Sequence, residues 1–569
     1  MISLEDKSKV LEEIKFCNKR NKRISLIKLF IVLIALIEFI CFLSLKEDKV
    51  RHIILALIFL GLFIYSNFLF KKFYIEEANL KNLEYIYKRH ENRRNGSYKT
   101  FSPDGKEFID YNDYKVLDLD ILGPKSIYQY ICACKTYNGR KYLAKQLTNP
   151  EKKDSKFTNI VNNLASNTET LKLEAAINKI DSKNSYNEDE MLSILNEKVK
   201  VNKLGIIFMI VSYLLLICSI IIFSIFNIKF LYLIFFIPIN LFISNNFSKN
   251  KIFNLNSTKY SLILNDYINL INDIKNINIV DDYYIEIKEK LLNDLDNFKK
   301  LNTIFDILSY RKNFIVSILG NGLFFLNYIV IVIFNNRIKT IKSIKESLTL
   351  INELEVVLSL SIIGMDNNTY TIPTYSDSVK MIGGYHPLIM NCVSNDFEIN
   401  GGIILTGSNM AGKTTFMRTL GVNLVLMNAG GIVLANEFSS PNLDIYTSLR
   451  TVDTLQEGIS TFYAEINKMK AIMENANSRS LVLIDEIFKG TNAKDRIYSA
   501  FEIIKKLNAK NVLFIITTHD FELCEAEDII NYHFDEEYID NKIYFEYKIK
   551  KGKSNKTNAI YLLKMAGVI

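Results

Sequence analysis

Two stretches near the N-terminus constrain this chain more than anything else in it. Leu29–Leu45 (LFIVLIALIEFICFLSL) and Ile53–Phe70 (IILALIFLGLFIYSNFLF) are 17 and 18 residues long, almost free of charge and flanked by charge. A bilayer core takes about 20 apolar residues as helix, and slightly shorter runs manage when their flanks snorkel. A second pair follows at Leu204–Phe226 and Phe230–Ser244, separated by Asn227, Ile228 and Lys229. The spacing predicts two transmembrane helical hairpins, the second weaker because its return limb is short and carries Pro238 and Asn240. The first run does not read as a signal peptide, since it is too long, holds Glu38 and is followed by no small-residue cleavage site.

Basic residues near the ends set orientation. Lys7, Lys9, Lys15, Lys19, Arg20, Lys22 and Arg23 precede the first run, and Lys71 and Lys72 leave the second. The connecting loop KEDKVRH is basic too, but shorter. The N-terminus and everything after Lys71 are therefore expected in the cytoplasm, in a multi-pass protein of the cell membrane. A fifth run, Phe314–Phe334, contains Asn321 and Asn327 and is expected to be a buried helix, because a crossing there would put the rest of the chain outside. Glu38 has two readings: a functional ionisable group inside a span, or a carboxylate satisfied by a partner in the hairpin.

Composition supports this picture and excludes others. Mean hydropathy is +0.09 although the chain carries 70 basic and 62 acidic residues, so the apolar residues are concentrated. Only 7 Pro and 22 Gly argue against an array of β-sandwiches. A net charge of +8 over 569 residues is compatible with contact to nucleic acid or anionic lipid but demonstrates neither. The seven Cys are scattered without a CxxC pair, which reads as reduced, buried thiols and places the soluble parts in the cytosol.

After the first hairpin (1–72), residues 73–116 read as a polar linker, helical and then loop-like near Gly96 and Pro103-Asp104-Gly105. Leu117–Lys203 and Phe253–Lys312 are charged with periodic Leu, Ile and Phe, which predicts long helices. Helix continues over Ile338–Ile363. After Gly364 short β-branched runs with glycines open an α/β domain of about 200 residues. The fold class expected is an α-helical core (117–363, interrupted by the hairpin at 204–244) plus an α/β domain (364–569) with a parallel-rich sheet, which the motifs that follow make a P-loop ATPase domain of ABC type.

The chemistry sits in that last domain. Gly407-Ser408-Asn409-Met410-Ala411-Gly412-Lys413-Thr414 fits G-x-x-x-x-G-K-[ST], follows the strand-like Ile403-Ile404-Leu405 and precedes an apolar-periodic helix over Thr415–Met427. In such a loop, glycines let the backbone wrap a polyphosphate, amide N–H groups and the helix N-terminus hold the anion, Lys413 reaches the phosphates and Thr414 holds Mg²⁺. Leu481-Val482-Leu483-Ile484-Asp485-Glu486 is an apolar strand ending in two carboxylates, where α/β sheets place ligands. Asp485 is the expected Mg²⁺ partner and Glu486 the base that orients water. A third strand, Val512–Thr517, ends at Thr518-His519-Asp520, which makes His519 a γ-phosphate sensor rather than a structural histidine. Gly458-Ile459-Ser460-Thr461-Phe462-Tyr463-Ala464-Glu465 precedes a helix over Ile466–Asn475 and reads equally as an anion site or an ordinary cap.

These residues resemble the MutS mismatch-repair family. Thr406–Phe416, with Asn409-Met410 and Thr415, is similar to its P-loop; Ser460-Thr461-Phe462 with Glu465 is similar to its signature segment. Asp485-Glu486-Ile487 with Gly490-Thr491 and Asp495 resembles its Walker B motif and following loop, Thr518-His519 with Glu522-Leu523 its switch histidine, and Tyr385-His386-Pro387 its His-Pro. Leu117-Asp118 and Thr136-x-x-Gly139-Arg140-x-x-Leu143, ending at Asn149-Pro150, resemble the opening of its core domain; Asn352-Glu353-Leu354-Glu355 and Leu358-Ser359-Leu360 resemble the closing helix. The resemblance implies a variant with a membrane hairpin where the mismatch-reading domain would stand, without the family's Phe-x-Glu wedge, with a reduced clamp, and ending at Gly567-Val568-Ile569 before a dimerisation element. It further implies a homodimer that binds and hydrolyses ATP with Mg²⁺ at the dimer interface, Lys413 and Asp485 acting in one subunit while Ser460 reaches across from the other.

Three functional classes follow. One is a membrane-anchored MutS-like ATPase that uses this conformational change in DNA binding, linked to mismatch repair or recombination. Another is a transporter of the ABC class, against which stand about four spans and no Leu-Ser-Gly-Gly-Gln. The last is an ATP-driven membrane scaffold that does not read DNA. The segment KLEAAINKIDSKNSYNEDEM is acidic and mixed, which weighs against a basic DNA groove there.

Overall fold

The computed structural model describes residues 4–44, 49–185, 188–196, 202–226, 231–247, 256–335, 338–408, 410–450, 461–488, 491–539 and 542–554. The chain divides into two compact units. One comprises Met1–Ile131, Leu147–Ala175 and Leu360–Ile569; the other comprises Cys132–Gln146 and Ala176–Ser359.

In the first unit the N-terminal apolar runs lie in two helices, Leu4–Ser44 and Lys49–Arg94, of 41 and 46 residues. From Lys7 through Arg20 to Glu38 on the first helix, the partners on the second fall from Glu91 through Glu76 to His52, the register of an antiparallel pair. Lys7 Nζ meets Glu91 at 2.6 Å, Arg20 Nη2 meets Glu76 at 2.7 Å, and Asn21 Nδ2 meets Glu77 at 2.5 Å. Glu38 lies 2.7 Å from His52 Nδ1 across the hairpin, so the partnered reading of this carboxylate holds. Leu29, Phe30, Leu33, Leu36, Ile37 and Ile40 are exposed, as are Ile54, Leu57 and Ile58 on the return helix. Each helix is long and apolar enough to cross a membrane, with windows of mean hydropathy 2.8 and 2.4. The return helix runs unbroken past Lys72, so the linker expected to start at 73 begins as the same rod.

Buried charge pins the far end of that rod. His90 Nε2 is 2.7 Å from Glu174, and its Nδ1 is 2.9 Å from Asp366. Arg93 donates its Nε–H to the Tyr130 carbonyl, and its guanidinium lies 3.5 Å from both carboxylates. Burial pulls the His90 imidazole down, but the Asp366 and Glu174 charges outweigh it and hold it above its ordinary value.

The long helices expected over Leu117–Lys203 are instead short ones. Tyr114–Asp118, Ile127–Ile131, Tyr137–Thr148, Ser155–Ser166, Thr170–Asn178, Ser182–Ser185 and Glu188–Asn196 follow one another. Short polar side chains capture backbone N–H groups and interrupt the helical ladder. The Asp154 carboxylate caps Phe157, Asn167 accepts from Glu169 N, and Asp181 accepts from Lys183 N. The periodic apolar positions are real, but they belong to several rods rather than one.

In the second unit Ser257–Lys275 and Asp282–Tyr310 are long helices, as expected. The two motifs that open and close the core segment meet there. Glu355 on the helix Ile338–Asp366 accepts from Lys135 N and Thr136 N at 2.8 and 3.1 Å and from the Thr136 hydroxyl, while Ser359 accepts from Ala133 N. Burial pushes the Glu355 carboxyl up to about 7 against the pull of those donors. Gly139 is required here, because a Cβ would stand 1.8 Å from the Glu355 carboxylate.

The same unit holds the remaining apolar segments. Lys203–Phe226 and Leu231–Phe247 are helices, and of the two Lys203–Ile222 is long and apolar enough to cross a membrane. Phe314–Phe334, expected as one buried helix, is two: Phe314–Phe324 and Leu326–Asn335 meet at 81° around Phe325, whose φ is 47°. Its outer side chains Phe314, Ile315, Phe324 and Ile329 are exposed, so burial covers only the inner face. That face carries a polar ladder. Ser212 donates to Asn240, Asn240 to the Gly322 carbonyl, Ser244 to Asn321 and Asn327 Nδ2 to Ser244. Beside the bend, Asn321 Oδ1 accepts from Asn327 N at 3.0 Å and Asn240 donates to the Gly322 carbonyl, so two side-chain amides satisfy backbone groups there.

The C-terminal part of the first unit carries two sheets. A small sheet is formed by β1 (Thr374–Tyr375), β2 (Val379–Gly384), β3 (Asn395–Ile399) and β5 (Glu437–Ser440), in the order β1-β5-β2-β3. The larger contains β4 (Gly402–Gly407), β6 (Asp444–Ser448), β7 (Ser480–Asp485), β8 (Leu513–Thr517), β9 (Ile529–Ile539) and β10 (Lys542–Lys551), in the order β10-β9-β4-β8-β7-β6. All its pairings are parallel except β9–β10. This is the parallel-rich sheet that the apolar runs predict; β4 and β8 are buried along nearly their whole length. All seven cysteines are free; Cys17, Cys132, Cys134 and Cys524 are buried, whereas Cys218 is exposed.

Replacing Glu355 by Ala strands the backbone donors Lys135 N and Thr136 N and leaves a void. We expect the full-length protein in nanodiscs to lose about 2–4 kcal/mol of stability, read by tyrosine-fluorescence denaturation; an unchanged midpoint would contradict the staple.

Candidate functional site

The site is assembled at the carboxyl edge of the large sheet by strand order. β8 lies between β4, which feeds the glycine loop, and β7, which ends in Asp485. Ile404 pairs with Ile516 and Ile484 with Ile516, so the three strand ends are in register. The residues that follow them, Gly407–Lys413, Asp485-Glu486 and Thr518-His519, therefore come to one edge although about 110 positions separate the first from the last.

The loop geometry depends on its glycines. Gly407 has φ 139° and Gly412 φ 106°, and a Cβ on Gly407 would stand 2.7 Å from the Phe534 carbonyl oxygen. Lys413, the first residue of the helix Lys413–Asn428, turns its ammonium back into the loop, 2.6 Å from the Gly407 carbonyl and 3.0 Å from that of Ser408. The loop is thus a concave cradle with a cation at its centre. Ala411 is buried, Met410 is exposed with φ 71°, and Thr415 is exposed at the first helical turn. Asn409 lies outside the described residues.

Across the edge, the Thr414 hydroxyl donates to Asp485 Oδ2 at 2.9 Å, and the Thr517 hydroxyl donates to Asp485 Oδ1. One carboxylate is therefore held by the loop and by β8 together. Glu486 adopts φ 57°, a conformation costly for a side chain with a Cβ. Its N–H donates to Thr517, and its carboxylate lies 3.4 Å from His519 Nε2. The His519 loop is braced by Asp520, which takes two 2.7 Å bonds from Arg496 on the helix Ala493–Ala509. Asp495 is satisfied locally by Asn492, which caps the same helix. His386 is buried and accepts from Leu388 N, and burial with the nearby Arg418 charge lowers it to about 4.

A cavity of about 300 Å³ opens beside the carboxylates, lined among others by Arg450, Glu465, Met469, Asp485 and Glu486. Glu465 comes from the helix Thr461–Asn475, whose Phe462 packs edge-on against Phe488. Ser460 and Gly490 lie outside the described residues. Among the described residues no group of three or more His, Cys, Asp and Glu could hold a metal. The Thr414–Asp485 pair instead suits Mg²⁺, which takes one or two protein oxygens and completes its shell with substrate phosphate and water.

Two contributors escape sequence reasoning. Thr517 holds both Asp485 and Glu486, yet it looks like an ordinary strand residue. Ser408 donates at 2.6 Å to Glu536, a buried acid of β9 that stands 128 positions away. Alternation in β9 places Glu536 inward among apolar neighbours, and that inward acid is the signal that could have marked it.

Comparison with known proteins locates this edge in a family. Residues 403–569 match the model described as MutS domain V. The DNA mismatch repair protein MutS of Clostridium kluyveri is 31% identical over 317 residues, covering 50% of this chain and 36% of that protein. The protein of the same description from Thermus thermophilus is 30% identical over 237 residues, covering 40% and 29%. That from Clostridium botulinum is 32% identical over 250 residues, covering 40% and 27%. The chain therefore spans about a third of the length of these curated relatives.

Gly407→Ala is expected to lower the melting temperature and to cost about 1–3 kcal/mol in backbone strain alone. A variant melting with the wild type would refute the role given to that φ.

Proposed function

The chain belongs to the MutS family through its C-terminal domain, and from that premise we propose that it is a membrane-anchored, Mg²⁺-dependent ATPase. The observation that carries the reading is the convergence of Lys413, Thr414, Asp485, Glu486 and His519 on one sheet edge. The cradle fits a polyphosphate: backbone N–H groups between Ser408 and Thr414 and the helix N-terminus bind the anion, and Lys413 exchanges carbonyl contacts for phosphate oxygens. Thr414 and Asp485 hold the cation. Bound ATP·Mg²⁺ supplies the anhydride bond and the charge neutralisation. Glu486 orients and deprotonates the attacking water, and His519 fixes the Glu486 carboxylate and reports the γ-phosphate. Ser460 from a second copy completes the site in a homodimer, so that binding draws two ATPase domains together and hydrolysis releases them.

The two hairpins anchor the protein, with four crossings and the ATPase in the cytoplasm. The bent pair Phe314–Phe324 and Leu326–Asn335, at 81° to each other, is read here as re-entrant, entering and returning on the same side, which keeps the count even. DNA is the proposed partner of the ATP-driven change, because the curated relatives carry the description DNA mismatch repair protein.

Lys413→Ala and Glu486→Gln should each reduce turnover at least about a hundredfold, the second while retaining ATP binding. Wild-type hydrolysis by Glu486→Gln would remove it as the base. The partner is tested with the full-length Glu486→Gln protein in nanodiscs, with ATP, against matched, mismatched and branched duplexes at two salt concentrations. ATP-dependent binding with a preference among duplexes supports a role in repair or recombination. Binding that is absent at both salts refutes DNA as partner and leaves the ATP-driven scaffold. The salt series is needed because phosphate contacts make affinity fall steeply with ionic strength.

A further inference from the structure

Asp118 sits outside the motifs that define the site, yet it is 1% exposed and bonded four times over. Its Oδ2 accepts from the Thr447 hydroxyl at 2.8 Å, Leu449 N at 2.9 Å and Lys468 Nζ at 2.7 Å, and its Oδ1 accepts from Arg450 N at 3.1 Å. Thr447, Leu449 and Arg450 are the end of β6 and its exit; Lys468 belongs to the helix Thr461–Asn475. One carboxylate thus joins the two flanks of segment 451–460. Lys468 is itself 5% exposed, and the Tyr114 ring lies 4.9 Å from its ammonium. Two residues on, Asp120 takes two bonds from Arg450 Nη2, at 2.6 and 2.8 Å, and one at 3.4 Å from Arg418 on the helix that Lys413 opens.

The parts so joined are walls of the catalytic cavity. Arg450, just past β6, and Glu465 and Met469 on the helix line it together with Asp485 and Glu486. We propose that Asp118 is a positioning residue of the ATPase, holding the β6 end and the helix Thr461–Asn475 in the arrangement that hydrolysis needs. With Asp120 it makes the segment that follows the long helix Lys49–Arg94 part of the catalytic frame, so displacement of that segment is transmitted to turnover rather than to nucleotide capture. The inference rests on the ATPase reading, and it assigns Asp118 no contact with nucleotide.

A merely structural ion pair and a positioning residue differ in what they change. The cradle that captures ATP is built from other residues, so losing the Asp118 frame should spare affinity and lower the chemical rate. The test uses the full-length protein in nanodiscs, with Asp118→Asn, Lys468→Met and the charge-retaining Lys468→Arg. For each, kcat, the dissociation constant of a fluorescent ATP analogue and the melting temperature by tyrosine fluorescence are measured. Expected are analogue affinities within about twofold of wild type, kcat lowered about a hundredfold in Asp118→Asn and Lys468→Met, and substantial recovery in Lys468→Arg. Unchanged kcat in a hydrolysing background overturns the proposal alone. So does a joint fall of kcat, affinity and melting temperature with no rescue by Lys468→Arg. A wild-type protein without ATP turnover overturns the ATPase reading and this proposal with it.

Discussion

Four charges buried at one point hold the first unit's longest element. His90 and Arg93, one helical turn apart near the end of Lys49–Arg94, face Glu174 and Asp366 with essentially no solvent contact. Removing ions from water is expensive, and only close geometry with further hydrogen bonds offsets it. The offset is present here: Glu174 is met by His90 and Arg93, Asp366 by His90, Arg93 and Arg94, and the Arg93 Nε–H goes to a backbone carbonyl. Such a cluster tolerates little displacement, because separating any partner leaves an uncompensated buried charge. It fixes where the helix ends and where the chain that leads to Asp118 begins.

Much of the candidate site was legible because its motifs are contiguous and its strands are continuous apolar runs. Gly407–Thr414 and Leu481–Glu486 announce loop and strand within eight or fewer residues, and the sheet places them side by side. Asp118, Thr517 and Glu536 were not legible as site residues. Their partners lie 31 to 350 positions away, and no local pattern records a pairing created by strand order. Asp118 was visible only as part of the motif that opens the core, where its residue type gave no hint of Lys468.

Hydropathy misleads where it averages over a bend. Phe314–Phe334 is uniformly apolar, and nothing in its composition marks Phe325 as left-handed. The two asparagines were the visible clue: both are buried, both bond Ser244, and Asn321 accepts from Asn327 N at the turn. The short helices before Lys203 show the converse error. Periodicity identified the inward positions but not the ends, which are set by single Asp and Asn side chains reaching neighbouring N–H groups.

The unbroken run of Lys49–Arg94 has a mechanical meaning. At 1.5 Å per residue its 46 residues make a mast about 70 Å tall, more than twice the thickness of a hydrocarbon core. In the membrane-anchored function proposed above, the apolar part would lie in the bilayer and the polar part, from Lys71 on, would stand about 36 Å proud of it. Whatever the C-terminal domain engages would then be met in a thin layer beside the membrane, where tethering sets the effective concentration and diffusion is confined to two dimensions. A protein mounted this way would not need to bind its target tightly to find it often.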